Sequence, residues 1–600
     1  MKKILSFFTL FPWTVAAQTT LPEVVVTATR TAQTANEALA SVTVITREEL
    51  ERHASLTLPE VLRGVAGLDL AHYGGIGQPT SLFMRGTNSD HVLVLIDGVK
   101  IGSPTLALAP FPHLPLSHID RIEIVRGPRS SLYGSEAVGG VIQIFTRRGT
   151  QEPSFHGSAG VGSDQTYQVT AGLSGTEKQT WYSAQVENIQ SHGFNACQGF
   201  GGCFTVEPDE DGYDNTSVGL HIGHEFSQQW QIEGHFLRIK GNFQYDSSFN
   251  NQTDFVQQVV GLKTRYLPHE MWEMTFEVGE NRDKQESFGR SEFPHDLYDT
   301  KRTTWSWQNN VFLSNAQELT VGYDQQNDEV DSSIAYTLTD RENRAYFAQY
   351  QYQTDTREFS FGAHQEDNEQ FGKHTTYHLA LGTVLSPSIR SFISYGTAFK
   401  APSFNQLYYP DYGNPQLDPE ESKSFEIGLK GTEMDSLWSI SAYRTHIDQL
   451  IATQFDASTG RFFADNIAQA QLTGAEAEIN WHRDAWEVNT ELTWLQAKDD
   501  QTGQRLPRRA EKTLKFELAH ARGAARLGLI CLTQGLRYDD AQNTRPLGGY
   551  TLVHLEGKYQ FNKKWFVQTH VENIFDKAYE TVASFNAPGR TWFLSVHYQP

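Results

Sequence analysis

Oxygen-bearing side chains gather in two neighbouring stretches of the sequence, and their types suit a metal ion. Three carboxylates alternate along the chain in the first stretch, and two more lie in the second. Ca²⁺ binds six to eight oxygen ligands, which carboxylates and carbonyls on flexible loops can supply. The candidate ligands are Asn195, Glu207, Asp209, Asp211, Tyr245, Asp246 and Asp254. The alternative is an acidic loop that is solvated and binds no ion.

The first residues of the chain determine which compartment these groups meet. Lys2 and Lys3 are followed by an apolar run, Ile4–Val15, and by the small residues Ala16 and Ala17. This pattern predicts a signal peptide over residues 1–17, cleaved before Gln18. An N-terminal membrane anchor is the alternative, but it needs a longer apolar span. The mature chain is therefore expected to leave the cytoplasm.

The cysteines fit an oxidising compartment. Cys197 and Cys203 flank "QGFGG" within the first acidic stretch. In that compartment we expect them to form a small disulfide loop. Metal binding by the pair is the alternative, but it would call for histidine ligands nearby. The third cysteine, Cys531, is expected to be a small residue of a strand, either buried or lipid-facing.

Composition narrows the class of protein. Aromatic residues make up 12% of 600 residues, charged residues only 20%, and there are 48 glycines. No apolar run after the signal is long enough for a transmembrane helix, which together with the aromatics suits a membrane β-barrel. A large secreted β-rich enzyme is the alternative on composition, but no HExxH, G-x-S-x-G or P-loop motif is present. The net charge of -22 argues against nucleic acid as a partner.

Alternation along the chain supports the barrel. In Trp486–Trp494 one face carries Trp, Val, Thr, Leu and Trp, and the other carries Glu, Asn, Glu and Thr. Ala475–Trp481 repeats the pattern. A wall with lipid outside and water inside requires this period of two, and a sandwich strand would show it too. Many such segments, separated by turns from about residue 155 onwards, favour the barrel.

The region before residue 150 has a different pattern. Helix-like pieces at Arg47–Leu50 and Leu58–Leu62 precede short apolar strands at His91–Ile96, Arg121–Val125 and Gly139–Phe145. We expect a mixed α/β domain over residues 31–150. At about 20 residues per strand with its loop, residues 151–600 predict a 22-stranded antiparallel barrel. Barrels of that size are wide and plugged, so the small domain is the expected plug.

A short β-prone segment lies just behind the signal peptide. It consists of Glu23, Val24, Val25, Val26, Thr27 and Ala28. Such a segment near a flexible end can add a strand to a partner's sheet, with backbone hydrogen bonds supplying the affinity. The alternative is an ordinary first strand of the plug.

Four motifs carry a family resemblance. They are "FMRGTNSDHVLVLIDGV" (Phe83–Val99), "RGPRSSLYGSEAVGGVIQI" (Arg126–Ile144), "LDPEESKSFEIG" (Leu417–Gly428) and "ENIFDKAYET" (Glu572–Thr581). The chain resembles TonB-dependent outer-membrane transporters from Pro22 nearly to its end, and within them it is most similar to transporters of cobalamin (vitamin B12). The resemblance implies active import across the outer membrane of a Gram-negative bacterium. It also implies a monomer that contacts TonB of the TonB–ExbB–ExbD complex, outer-membrane lipid and lipopolysaccharide.

The resemblance also assigns roles to residues. Residues 23–28 resemble the TonB box, and the Glu-x-Asp-x-Asp spacing resembles a calcium site that orders outer loops, with Asn195 in place of a carboxylate. The residues expected to latch the plug to the barrel are Arg85, Arg126, Glu426 and Glu476. The residues expected to contact the corrinoid are Pro79, Ser81, Asn88, Thr105, Leu106 and Arg508. A ferric-siderophore transporter is the main alternative, and a passive porin without plug or TonB box is an alternative of another class.

Overall fold

The computed structural model describes residues 25–26, 30, 33–198, 203, 205, 207–456, 458–467 and 469–600. The expected signal peptide, Glu23, Val24, Thr27 and Ala28 lie outside the described residues. Among the described residues, no helix combines the length and the apolar composition needed to cross a membrane.

The N-terminal domain is built around a five-stranded mixed sheet. The elements of the domain are β1 Val25–Val26, β2 Gln33–Thr34, β3 Val42–Thr46, α1 Arg47–His53, α2 Leu58–Leu62, β4 Leu68–His72, β5 Thr80–Met84, β6 Val92–Ile96, β7 Val99–Ile101, β8 Ile119–Arg126, α3 Ser130–Tyr133 and β9 Gly140–Thr146. The order of the sheet is β3–β8–β9–β6–β7, in which only β6 and β9 run parallel. Short 3₁₀ turns occupy Ser89–His91, Phe111–His113 and Leu116–His118.

Both expected helices of this domain begin at threonine caps. Thr46 Oγ1 accepts a hydrogen bond from the backbone N–H of Glu49, whose carboxylate accepts from Thr46 N at 2.7 Å. This reciprocal pair satisfies two backbone donors that a helix start otherwise leaves free. Thr57 precedes α2 in the same way, with Glu60 as its partner. The caps fix where each helix enters the sheet layer.

Twenty-two antiparallel strands close into a barrel, as the sequence predicted. The ring closes where β10 pairs with β35, from Gly157 opposite Tyr598 to Gly162 opposite Phe593. The barrel strands are β10 Ser154–Gly162, β11 Thr166–Glu177, β12 Thr180–Ser191, β13 Tyr213–Ser227, β14 Trp230–Gln244, β15 Gln252–His269, β16 Trp272–Phe288, β17 Asp296–Ser314, β18 Gln317–Ser332, β19 Asp340–Gln353, β20 Arg357–Asn368, β21 Gly372–Ser386, β22 Ile389–Lys400, β23 Glu420–Glu433, β24 Ser436–Asp448, β27 Gln469–Arg483, β28 Trp486–Asp499, β29 Lys512–Arg522, β30 Ala525–Gln534, β33 Tyr550–Gln560, β34 Trp565–Glu572 and β35 Thr591–Tyr598.

The long connections between strands carry small elements of their own. These are α4 Phe404–Tyr408, the hairpin of β25 Ile451–Asp456 and β26 Arg461–Asn466, and the pair β31 Arg537–Tyr538 and β32 Pro546–Leu547. These connections follow β22, β24 and β30, which run in the same direction around the antiparallel ring. They therefore lie at one end of the barrel, opposite short turns such as 484–485.

The faces of the barrel wall follow the alternation of the sequence. Ile479 and Trp494 are exposed on the outside, whereas Glu476 and Glu478 are buried on the inside. The buried carboxylates do not face water, because the N-terminal domain fills the barrel. Cys531 on β30 is half-buried between two inward-facing neighbours.

Backbone groups of the N-terminal domain bond directly to the wall. Glu491 accepts from Ala66 N at 2.5 Å, and Thr493 Oγ1 accepts from Gly67 N at 2.9 Å. Gly67 has a φ of +73°, and a Cβ there would lie 2.4 Å from Glu476 Oε1. Glycine at this position therefore permits the close approach of the domain to the barrel.

Candidate functional site: the plug–barrel interface and the outer loops

A buried ionic cluster joins the domain to the wall at β23 and β27. Arg85 donates from Nη2 to Glu426 Oε1 at 2.8 Å and to Glu476 Oε2 at 2.9 Å, and from Nε to Glu476 Oε1 at 2.9 Å. Arg126 Nε lies 3.5 Å from Glu476 Oε2. The structure thus brings together all four residues that the resemblance named as a latch. All four are buried, so each charge depends on the others for its solvation.

Two members of the cluster were not anticipated from the sequence. Glu478 accepts a hydrogen bond from Arg126, and Ser41 donates to Glu426 at 2.6 Å. The alternation of β27 does place Glu478 on the inward face beside Glu476, so that signal was available. Desolvation of the buried Arg126 guanidinium disfavours its charge, but Glu478 and Glu476 together outweigh that cost and raise its pKa.

Arg30 forms a second link between the N-terminal segment and the barrel. Its Nη2 lies 2.6 Å from Asp324 Oδ2 on β18, and its backbone oxygen accepts from Gln308 Nε2 at 3.0 Å. The guanidinium also covers the rings of Tyr133 and Phe347, at 4.8 and 4.1 Å. Arg30 lines an internal cavity of about 350 Å³ between the domain and the wall.

Two more buried ionic groups hold the domain elsewhere around the ring. Arg302 on β17 donates to Glu136 of the domain at 2.9 Å and to Asp328 at 2.8 Å. Lys400 Nζ on β22 lies 2.8 Å from Asp90. The contacts with the wall are therefore spread over several strands.

The segment expected to be the TonB box lies at the edge of what is described. Val25 and Val26 pair antiparallel with Thr34 and Gln33. Their backbone thus already occupies an extended conformation, which strand addition to a partner would require.

Three of the candidate metal ligands converge in the outer loops. Carboxylate oxygens of Glu207, Asp209 and Asp246 lie within 4.8 Å of one another. Asp246 Oδ2 is buried and has no hydrogen-bond partner among the described residues. Glu207 also pairs with Arg290, which supplies a positive charge. An unpartnered buried oxygen beside two further carboxylates fits an oxygen-ligated cation such as Ca²⁺.

The other candidate ligands surround this group or point away from it. Asp211 is buried behind it, where its Oδ2 accepts from Ala196 N at 2.7 Å. Burial, opposed by that hydrogen bond and reinforced by the neighbouring carboxylates, raises the pKa of Asp211 to about 7. Asn195 is tied to the loop backbone, since its Nδ2 donates to Glu207 O at 2.5 Å and its Oδ1 accepts from Cys197 N.

Asp254 is not brought to the group. It lies on β15 between the buried Thr253 and Phe255, so its side chain points to the outside of the barrel. There it accepts from Asn242 Nδ2 at 2.7 Å. Tyr245 hydroxyl receives a hydrogen bond from Thr253 at 3.4 Å and thus faces the barrel interior. The strand register, which decides the face, could not be read from the loop sequence alone.

A disulfide between Cys197 and Cys203 closes the loop that carries Asn195. Cys197 also forms an isolated bridge with Phe585 of the last long loop, and Asn586 Nδ2 donates to Asn195 O at 2.9 Å. The disulfide loop is therefore fastened to a second loop next to the acidic group.

The residues expected to contact substrate lie on the outward side of the domain and in one adjoining loop. Pro79 and Leu106 are exposed, and Ser81 and Asn88 are half-buried. Thr105 differs from the expectation, because it is buried and its hydroxyl lies 2.5 Å from that of Ser103. Thr105 therefore supports the loop in this conformation and offers no free hydroxyl at the surface.

Two consecutive arginines frame this surface. Arg508 donates to Asp539 at 2.8 Å and to the hydroxyl of Tyr73, and its guanidinium lies 5.3 Å from that ring. Arg509 donates to Asn88 Oδ1 at 2.7 Å. Arg509 is buried, and burial lowers its pKa to about 9. The pair fixes the polar groups that the surface presents.

Comparison with known proteins assigns the family. A model of the TonB-dependent receptor plug domain matches residues 34–141, and one of the TonB-dependent receptor-like β-barrel matches residues 153–574. The chain is 32% identical over 583 residues to "Vitamin B12 transporter BtuB" of Photobacterium profundum, covering 96% of this chain and 95% of that protein.

Solved structures share the fold at lower identity. A mutant of the ferric enterobactin receptor PfeA from Pseudomonas aeruginosa superposes with a TM-score of 0.81 at 17% identity, covering 96% of this chain and 100% of that chain. The siderophore receptor PirA from Acinetobacter baumannii also gives 0.81 at 17% identity, covering 94% and 99%.

A 22-stranded barrel filled by a separate domain and fastened to it by buried ion pairs defines a plugged outer-membrane transporter. The chain belongs to the TonB-dependent receptor family. It is therefore an outer-membrane protein of a Gram-negative bacterium that binds a substrate and depends on TonB. The plug excludes the passive porin.

Proposed function

We propose that this transporter imports cobalamin. The observation that carries the proposal is the 32% identity to a vitamin B12 transporter over 96% of the chain. The resemblance to siderophore receptors is at 17% identity and concerns the fold alone.

Residues on the outward surface of the plug support the proposal that cobalamin is the substrate. Ser81 and Asn88 are half-buried and polar, and Leu106 is 48% exposed. Amide side chains around a corrin ring need hydrogen-bond partners, and the ring needs apolar contact. Ser81, Asn88 and Leu106 together would offer both.

Ca²⁺ is proposed to order the outer loops above that surface. Glu207, Asp209 and Asp246 would supply oxygen ligands, with Asp211 behind them. The cation would neutralise carboxylates that otherwise repel one another. Arg290 would have to release Glu207, so the ion and this arginine compete for one carboxylate.

Energy is proposed to enter through residues 23–28. TonB would add its strand to this segment, and force from the TonB–ExbB–ExbD complex would then act on the plug through the residues that follow. Arg30 with Asp324, and Arg85 with Glu426 and Glu476, are placed to hold the plug until that force arrives. No bond of the substrate is made or broken.

Equilibrium binding tests the substrate. Purified detergent-solubilised protein is titrated with cyanocobalamin in Ca²⁺ and again in chelator. Tight binding that weakens in chelator is the expected result, and tight binding in both buffers would remove the metal from the proposal. Absence of binding in both would contradict cobalamin.

A ferric-siderophore transporter is the second candidate, because the structural neighbours are siderophore receptors. The same titration with ferric enterobactin distinguishes the two substrates. Uptake of labelled cobalamin by cells lacking their own transporter, with and without residues 23–28, then separates TonB-coupled import from binding alone.

A further inference from the structure

Two histidines and a glutamate meet on the inward face of the last strands of the barrel. His554 lies on β33, and His570 and Glu572 lie on β34. In the ladder Glu556 is directly opposite His570, so His554 comes to lie beside Glu572. Ligand atoms of the three side chains are within 4.8 Å of one another.

His570 presents its Nε2 nitrogen to this group. Its Nδ1 lies 2.9 Å from the backbone oxygen of His53, and because a carbonyl only accepts, Nδ1 carries the proton. This is the second contact that orients metal-binding histidines. The other nitrogen, Nε2, is buried 3.2 Å from Glu572 Oε1, an ion-pair distance when the ring is protonated, and a metal ion would take the place of that proton between the two side chains. His570 itself is only 7% exposed.

His554 is held less firmly. Its Nδ1 accepts from the backbone N–H of Asn573 at 3.3 Å, a long hydrogen bond. The metal-free ring therefore carries its proton on Nε2. A metal bound at Nε2 would require that proton to move to Nδ1, and the contact with Asn573 N–H would then be lost.

The plug supplies a fourth candidate ligand. Glu60 of α2 lines two small cavities, of about 60 and 40 Å³, together with His570 and Glu572. Glu60 Oε2 accepts from the backbone N–H of Leu56 at 2.8 Å, so its other carboxylate oxygen would have to reach the ion. Glu60 and Glu572 thus line the same two cavities, and Arg63 is a positive charge close to both.

Neighbouring carboxylates are already occupied. Glu517 lies 2.7 Å from Lys515, and Glu556 lies 3.1 Å from His53. A similar trio elsewhere, formed by Asp90, His91 and Glu420, already contains the ammonium of Lys400. Among the groups described, the one at His570 combines imidazole and carboxylate ligands with cavities that they line.

We infer that His554, His570 and Glu572 of the barrel, with Glu60 of the plug, bind a divalent transition-metal ion such as Zn²⁺. Two imidazoles with carboxylates favour Zn²⁺ over Ca²⁺ or Mg²⁺. Tetrahedral zinc with these ligands sets its donor atoms about 3.4 Å apart, so small side-chain movements close the site. The ion would connect α2 to β33 and β34, at a place distinct from the acidic outer loops.

Zinc titration tests the site on full-length, tag-free protein in detergent. Glu207→Gln is introduced throughout, so that the outer-loop carboxylates contribute little. Calorimetry with Zn²⁺ is expected to give one equivalent, weakened about tenfold or more by H570A and by E572Q. The matched control is H378A, which removes another buried inward histidine, bonded to Ser131 and Ser360.

Two further measurements separate loss of the site from loss of folding. Cu²⁺ in place of Zn²⁺ is expected to show imidazole nitrogen coupling in electron paramagnetic resonance, lost in H570A, while heat-modified migration confirms folded barrels. Absence of Zn²⁺ binding, or binding by H570A and E572Q as tight as by the protein that keeps both residues, would overturn the proposal. Unchanged affinity in E60Q would overturn its plug–barrel link.

Discussion

Arg30 of the N-terminal segment is ion-paired with Asp324 of barrel strand β18, at 2.6 Å between Nη2 and Oδ2. The two residues are separated by 294 positions in the chain. Asp324 also accepts from Ser306 Oγ at 2.5 Å, which orients its carboxylate toward Arg30. Because Arg30 follows residues 23–28 closely, this pair restrains the segment proposed to meet TonB.

Asp324→Asn should release that segment. Loss of the carboxylate leaves the buried Arg30 guanidinium unpaired, at a cost of about 3–5 kcal/mol, which favours its withdrawal from the wall. Binding of a soluble periplasmic TonB fragment in the absence of substrate should therefore tighten several-fold. Fluorescence anisotropy of the labelled fragment measures it.

Asp331→Asn is the matched control for that experiment. Asp331 lies on the same strand but is exposed. Equal TonB affinity in D324N and the unaltered protein would show that the ion pair does not restrain the segment.

Glu476→Gln should loosen the plug without unfolding the barrel. Glu476 is shared by Arg85 and Arg126, so its neutralisation weakens the solvation of two buried cations at once. We expect the free energy of unfolding of the plug to fall by about 3–5 kcal/mol, so that the plug unfolds at a lower urea concentration. Spin labels or cysteine accessibility within the plug follow this step separately from the barrel.

Glu433→Gln provides the comparison, since Glu433 is exposed at the end of β23. A plug transition that is the same in E476Q and E433Q would contradict a latch. A fall in both the plug and the barrel transitions would indicate a general loss of packing.

The fold was predictable because its signals are local. Alternation in Ala475–Trp481 places Glu476 and Glu478 on one face, whichever strand lies beside them. Capping threonines before Arg47 and Leu58 likewise mark helix starts from a few residues. The pairing of Arg30 with Asp324 is not local, because it depends on how the plug sits in a closed ring.

The outer loops were predicted less completely for the same reason. Glu207, Asp209 and Asp246 do converge, but Asp254 points outward because the strand register, and not the spacing, decides its face. Thr105 has the expected chemistry but lies against Ser103. Composition identifies which residues can bind; packing decides which are available.

Ca²⁺ affinity should fall as the pH is lowered from 7.5 to 5.5. The pKa of Asp211 is raised to about 7, mainly by burial, and that of Asp246 is also raised. Where the folded-state pKa of an acid is raised, the ion-free fold loses stability as the pH rises from the unfolded-state pKa of the acid, about 4, to its folded-state pKa, about 7. A bound cation removes that penalty, so binding releases protons and strengthens with pH.

Calcium titration at three pH values checks this expectation. Asp211→Asn should flatten the pH dependence, although Asp246, Asp209 and Glu207 leave a residual slope. A profile of the unaltered protein that is flat across this range would contradict participation of Asp211. Reduction of the Cys197–Cys203 disulfide is a separate perturbation of the same loop.

Arg508→Ala should weaken cobalamin binding about 3- to 10-fold, the loss of one hydrogen bond of about 1 kcal/mol. Asp539 and Tyr73 hold Arg508 at the rim of the surface proposed to receive the corrinoid. Because the side chain is ordered before the ligand binds, its contact costs little entropy, and its removal should show as a loss of affinity. Equilibrium binding of cyanocobalamin measures the change, with Arg522→Ala, an exposed arginine at the end of β29, as the matched control. If both variants bind like the unaltered protein, the ligand does not contact this arginine. If R508A alone loses affinity while ferric enterobactin binds neither protein, the rim recognises the corrinoid directly.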